Sequence, residues 1–168
     1  ASEMQYTPKR VIKIQRYNEN GSVNTEMPEI QIGDVLGLDI EVQGMVVSRN
    51  DSGVVDGFYV LLRNMFSQPI VPTINGIKVY GDKHLNKNNY ILPVLKFTME
   101  GILDTTFNGN LQKAYKDFFQ PEIGLFHFDR IFPQPDGFII FNRVRNPITG
   151  VSTLIGLRVR KDGSYKFL

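Results

Sequence analysis

The sequence predicts a mainly β fold: an antiparallel β-sandwich or barrel of short strands, with one short α-helix at about 108–120. Three observations carry this expectation. Apolar and polar residues alternate in several short runs, clusters of Gly, Asn, Asp and Pro separate those runs, and one segment alone repeats its apolar residues at helical spacing.

RVIKIQRY (Arg10–Tyr17) reads as a strand, with Ile12 and Ile14 on one face and Lys13 and Gln15 on the other. NENGSVN (Asn18–Asn24) is a turn-rich connection. VLGLDIEVQ (Val35–Gln43) alternates most cleanly: Leu36, Leu38, Ile40 and Val42 share one face, and Gly37, Asp39 and Glu41 share the other. One side of that strand is expected on a core and the other in water. GFYVLLR (Gly57–Arg63) is apolar on both faces, the pattern of a central sandwich strand.

IVPTINGIKVYG (Ile70–Gly81) holds Asn75-Gly76 between apolar runs, a dipeptide that supplies the positive φ angles of a type I′ hairpin. Pro72 then belongs at an edge or at a strand start, because it cannot donate to a ladder. DKHLNKNN (Asp82–Asn89) is a polar loop, and YILPVLKFTM (Tyr90–Met99) is a strand interrupted by Pro93. In GNLQKAYKDFFQP, Leu111, Ala114, Tyr115 and Phe118 fall on one helical face, with Asn110 as N-cap and Pro121 as the stop. IGLFHFDRIF (Ile123–Phe132) returns to strand. FIIFNRVR and STLIGLRVR then flank a loop around Pro147 and Gly150, and Asp162-Gly163 turns LRVRK into SYKFL.

A chain of 168 residues suits one domain over 1–168, with residues 1–9 as an extended arm. The hydrophobic fraction of 42% and charged fraction of 21% argue against disorder and against a fibrous class. No apolar run approaches the roughly 18 residues of a membrane-spanning helix, so no membrane insertion is expected. The absence of cysteine excludes a disulfide scaffold, a thiolate metal site and a cysteine nucleophile. ASEMQYTPKR lacks the apolar stretch of a signal peptide. A start trimmed of its initiator Met in the cytoplasm is preferred to a mature end left by signal cleavage. Two matches to the glycosylation sequon, at Asn20 and Asn50, are too short a pattern to weigh.

The net charge is only +2, but charge is segregated. Lys9, Arg10, Lys13 and Arg16 run without an intervening acid; Glu26, Glu29, Asp34, Asp39, Glu41, Asp51 and Asp56 face the single cation Arg49; and cations prevail again after Asp136. In the C-terminal stretch, Arg143, Arg145, Arg158, Arg160, Lys161 and Lys166 oppose Asp162. Strand alternation places Arg143 and Arg145 on one side of their strand, and Arg158 and Arg160 on one side of theirs. A two-residue turn at Asp162-Gly163 would set Arg160 opposite Tyr165 and Arg158 opposite Phe167, giving one face of guanidinium groups and rings that Arg143 and Arg145 can join. Such a face suits a protein contact or a nucleic-acid stacking platform, and is also common on a plain solvated sheet, where each contact contributes about 0.5–1 kcal/mol. Nucleic acid is the weakest of these readings, because the net charge is near zero and no nucleic-acid-binding motif is present.

Catalytic chemistry is sparse. His127 and Asp129 share a strand face and could orient an imidazole, yet no G-x-S-x-G elbow accompanies them and a zinc site would need a distant third ligand such as His84. A half-exposed strand histidine is the preferred reading. No phosphate-binding glycine loop or EF-hand loop occurs, and the acids from Glu26 to Asp56 follow strand alternation and turns better than a calcium cage. No cofactor is expected. Tyr59, Tyr80 and Tyr90 could line a sugar platform, weakened by the absence of Trp.

These readings predict a non-enzymatic structural or assembly protein that associates with itself or with other subunits in a particle, ring or fibre, a virion component being one setting. The basic face of Arg143, Arg145, Arg158, Arg160, Tyr165 and Phe167 would meet the acidic patch of Asp34, Asp39 and Glu41 on a neighbouring copy, head to tail. The alternative is a secreted or surface β-sandwich that holds a glycan through loop aromatics.

Overall fold

The computed structural model describes residues 11–34, 37, 40–64, 72–78, 94–107, 126–145 and 148–168. Within them the chain is mainly β. The strands are β1 (Ile12–Ile14), β2 (Ile30–Asp34), β3 (Ile40–Arg49), β4 (Val55–Asn64), β5 (Pro72–Ile74), β6 (Ile77–Lys78), β7 (Val94–Thr98), β8 (Phe126–Gln134), β9 (Gly137–Arg145), β10 (Ser152–Arg160) and β11 (Tyr165–Phe167). They form three antiparallel sheets, ordered β1-β2-β5-β6, β3-β4-β7 and β11-β10-β9-β8, and among the described residues no sheet closes into a barrel. The helix expected at 108–120 and the N-terminal arm lie outside the described residues. A single helical turn at 105–107 precedes that region, its Phe107 N–H bonded to the Asp104 carboxylate at 3.1 Å.

Strand β4 explains the layering. Successive side chains point to opposite faces of a strand, so a run apolar at every position must be covered twice. Phe58, Val60 and Leu62 pack with Leu95 and Phe97 against Ile14, Ile30 and Ile32 of the first sheet. Tyr59 and Leu61 pack with Val94 and Phe107 against Phe138, Ile140, Leu157 and Val159 of the last. The sheet β3-β4-β7 is therefore the middle of three layers and serves two cores, as the two-sided pattern of GFYVLLR predicts.

The run Val35–Gln43 does not form one strand. The chain leaves β2 at Asp34, the Gly37 N–H bonds back to the Asp34 carbonyl at 3.0 Å with Gly37 at φ 69°, and β3 begins at Ile40. A left-handed residue cannot continue a β-strand, so the expected strand is interrupted at Gly37. The sequence reading also passes over β2, although Ile30 and Ile32 are among the most buried residues of the chain.

The turns fall into two kinds. Asn75 (φ 50°) and Gly76 (φ 81°) make the expected two-residue type I′ turn, with Ile74 opposite Ile77 and Pro72 at the strand start. A three-residue turn recurs four times among the described residues, at Asn18–Ser22, Asn50–Val54, Thr98–Ile102 and Arg160–Ser164. In each, the first N–H bonds to the fifth carbonyl, the fourth N–H bonds to the first carbonyl, and the fourth residue is a left-handed glycine with φ of 78–82°. This is a type I turn completed by a glycine bulge.

The edge strands β3 and β8 lie against each other where the middle and last sheets meet. Gly44 permits the approach, since a Cβ there would stand 2.8 Å from the Ile131 Cγ2. Each strand carries a bulge near that point, with Gln43 the extra residue between Val42 and Gly44, and Asp129 the extra residue between Phe128 and Arg130.

Candidate functional site

The register of β9 and β10 brings Arg143, Arg158 and Arg160 onto one face, with the backbone of Arg145 in step. Arg145 lies opposite Ser152, Arg143 opposite Leu154, Ile139 opposite Arg158 and Gly137 opposite Arg160. Directly opposed residues of an antiparallel pair share a face, and this one is turned away from the middle sheet because Ile140, Leu157 and Val159 occupy the other. The side chain of Arg145 lies outside the described residues; those of Arg143 and Arg160 are exposed.

Tyr165 and Phe167 do not join them. Tyr165 lies opposite Val159 and Phe167 opposite Leu157, one residue out of the expected register. The cause is the turn. A type I′ hairpin needs positive φ at both central residues, and in Asp162-Gly163 only Gly163 has it, at 82°. Lys161, Asp162 and Gly163 form the three-residue turn instead, and a shift of one residue moves every β11 side chain to the opposite face. Tyr165 consequently packs against the core, with Phe167 edge-on to it at 6.2 Å.

Arg158 and Arg160 also meet an acid from outside their own hairpin. The Arg158 Nη2 donates to both carboxylate oxygens of Asp136, at 3.0 and 3.2 Å, and the Arg160 Nε lies 3.7 Å from the same carboxylate. The hydrogen bond from Arg158 is the main cause of an Asp136 pKa below the ordinary carboxylate value. The charge of this pair is partly neutralised within the chain.

Toward β8 the same face carries a groove. Arg130 and Phe132 of β8, Phe141 and Arg143 of β9, Leu154 of β10 and the bulged Gln43 of β3 line an open groove of about 560 Å³. Phe132 and Phe141 meet edge to face, 5.8 Å apart at 80°. Gly156, opposite Phe141 on β10, makes room for the ring: a Cβ there would come within 3.0 Å of it. The groove thus offers two guanidinium groups, two rings, an aliphatic side chain and an amide. Sequence reasoning placed Phe141 and Arg143 on this face but missed Arg130, Phe132, Leu154 and Gln43. Alternation in DRIF and STLIG could have paired Arg130 with Phe132 and exposed Leu154; Gln43 depends on a bulge that no local motif announces.

Of the three acids expected to complement this face, the described residues include Asp34 and Glu41. Asp34 is buried, at 7% exposure, which removes it as an exposed docking residue. Asp39 lies outside the described residues, and Glu41 alone stands exposed on β3. Tyr59 is wholly buried between two layers and cannot hold a sugar, while Tyr80 and Tyr90 lie outside the described residues. The side chains of His127 and Asp129 lie outside the described residues too. Among the described residues no group of His, Asp and Glu is placed to hold a metal, and no helix is long and apolar enough to cross a membrane.

No known protein family, curated protein or solved structure matches the chain.

Proposed function

We propose that this chain is a non-enzymatic structural protein that docks the outer face of its β11-β10-β9-β8 sheet on protein surfaces, other copies of itself included, to build a ring, a fibre or a particle such as a virion. The groove of Arg130, Phe132, Phe141, Arg143 and Leu154 supports this reading. Arginine and aromatic side chains are the residues enriched at the energetic centres of protein interfaces, and a partly apolar cleft between guanidinium groups suits an acidic segment with apolar side chains. A net charge of +2 gives little general attraction for nucleic acid phosphates.

The test is light scattering on a sizing column, at low and high salt and over a range of concentrations. The expected result is a defined oligomer at low salt that becomes smaller as salt screens the arginines, and a smaller species than wild type for the Arg130→Glu/Arg143→Glu double variant. A wild-type chain that stays monomeric under every condition overturns the reading.

A further inference from the structure

The outer edge of β10 is covered over only part of its length. Val159 to Leu157 pair with β11, and the Leu168 N–H donates to the Gly156 carbonyl at 3.0 Å. From Ser152 to Ile155 the strand pairs with β9 on its inner side, and among the described residues nothing pairs with this stretch of its outer edge.

The existing ladder decides which groups face outward. The Arg160 N–H bonds to Ser164 and the Gly156 carbonyl to Leu168, so the even-numbered residues direct their backbone groups to the outer edge. The register of β10 against β9 runs from Ser152 to Arg160 without a bulge. The N–H and C=O groups of Ser152 and Leu154 therefore point out from the open edge. Sheet edges are ordinarily blunted by charge or proline, and Val151 to Leu157 contains neither. Val151, Ser152, Thr153 and Leu154 are all exposed.

We propose that this edge pairs with the same edge of a second copy, antiparallel, about a two-fold axis at Thr153. The inference rests on the assembly reading and assigns it one contact. Ser152 of each copy then lies opposite Leu154 of the other, and each such pair exchanges both of its N–H···O bonds. A register centred on Leu154 would oppose Ser152 to Gly156, whose carbonyl is already bonded to Leu168; one centred on Ser152 would oppose Leu154 to Gly150, outside the strand. The Thr153 residues face each other, a favourable cross-strand pair. The arginines do not oppose the contact, because the two β9 strands lie three strand spacings apart, about 14 Å against a screening length near 8 Å. The same register carries the exposed Leu168 of one copy to the hairpin end of the other, where Val151 and Ile148 are exposed.

The chain has no cysteine, so a single substitution reads this geometry. Non-hydrogen-bonded pairs hold their Cα atoms about 4.5 Å apart, within disulfide reach, so Thr153→Cys should cross-link nearly completely under mild oxidation, and Ser152→Cys, whose counterpart sits diagonally, about tenfold more slowly. Ser152→Pro removes an outward N–H that takes no bond among the described residues, and should abolish the dimer in sedimentation velocity while leaving the melting transition in place. Should the proline variant fail to fold, Thr153→Lys serves instead, setting two like charges against each other at the axis with the same expected loss. Equal linking at positions 152 and 153, or none at 153 in a chain that still oligomerises at low salt, overturns the edge pairing and leaves the assembly reading standing. A chain that neither links nor associates overturns both.

Discussion

Arg158 holds Asp136 through a single nitrogen that reaches both carboxylate oxygens, and it does so across a hairpin boundary, from β10 to the β8–β9 turn. The carboxylate side chain is 45% exposed, so the pair contributes modestly, about 0.2–1 kcal/mol as for other surface pairs. Its pKa lies below the ordinary value of 3.8, so the contribution is present above pH 3.8 and is lost as pH falls through the lower, folded value. Asp136→Asn should reduce stability at neutral pH by that amount and flatten the acid limb of the denaturation midpoint. An unchanged acid limb would show that the pair is not maintained in solution.

Tyr59 governs the alkaline limb. Its ring is wholly buried, and burial is the main cause of a pKa above the ordinary 10.0. Above pH 10 the unfolded phenol ionises while the folded one does not, so stability should fall from there until the folded pKa is reached. The Ser48 hydroxyl lies near the phenol but short of hydrogen-bonding geometry, and among the described residues both oxygens are buried without a partner. Tyr59→Phe should therefore cost little or nothing at pH 7, by chemical denaturation, and should remove this part of the alkaline loss. A cost above about 2 kcal/mol would mean that the hydroxyl is bonded after all.

Two cores that share one sheet should not melt apart. Phe97 lies in the core facing the first sheet, stacked on Phe58 at 5.3 Å, and Phe138 lies in the other, tilted against Tyr59 at 4.7 Å. Phe97→Ala and Phe138→Ala should each cost about 3–5 kcal/mol. In both variants, near- and far-ultraviolet circular dichroism should report one coincident transition. Two separated transitions would divide the chain into two folding units, against the single domain expected from its length.

Gly163 occupies the left-handed position that sets the register of β11. Gly163→Ala should lower stability by about 1–2 kcal/mol, read from the denaturant midpoint. No loss would mean that the turn relaxes to another form, and the positions of Tyr165 and Phe167 would have to change with it.

The two Asx-Gly dipeptides mark how far local sequence reaches. Asn75-Gly76 and Asp162-Gly163 look alike, and both do turn the chain. Only the first puts positive φ on both residues, because asparagine tolerates the left-handed region better than aspartate and Asp162 instead accepts the Ser164 N–H at 2.8 Å. The bounds of β10 and the two-sided burial of β4 were legible because apolar pattern alone decides them. Turn length was not, and with it went the faces of Tyr165 and Phe167. The groove was legible one strand at a time; its assembly from β3, β8, β9 and β10 depends on register and on two bulges, which are settled by packing between distant segments. The clean alternation of Val35–Gln43 misled for the same reason, since period two describes a strand only when the backbone stays extended through Gly37.

The double duty of β4 has a consequence for biosynthesis. Its partners in the last sheet, as far as Val159, leave the ribosome about 95 residues after β4 ends at Asn64, which at ordinary elongation rates is roughly 5–20 s. During that interval Tyr59 and Leu61 lack the cover that Phe138, Ile140, Leu157 and Val159 later give. The nascent chain therefore presents an apolar β-hairpin to chaperones, and to other nascent copies on the same message, before the mature surface exists.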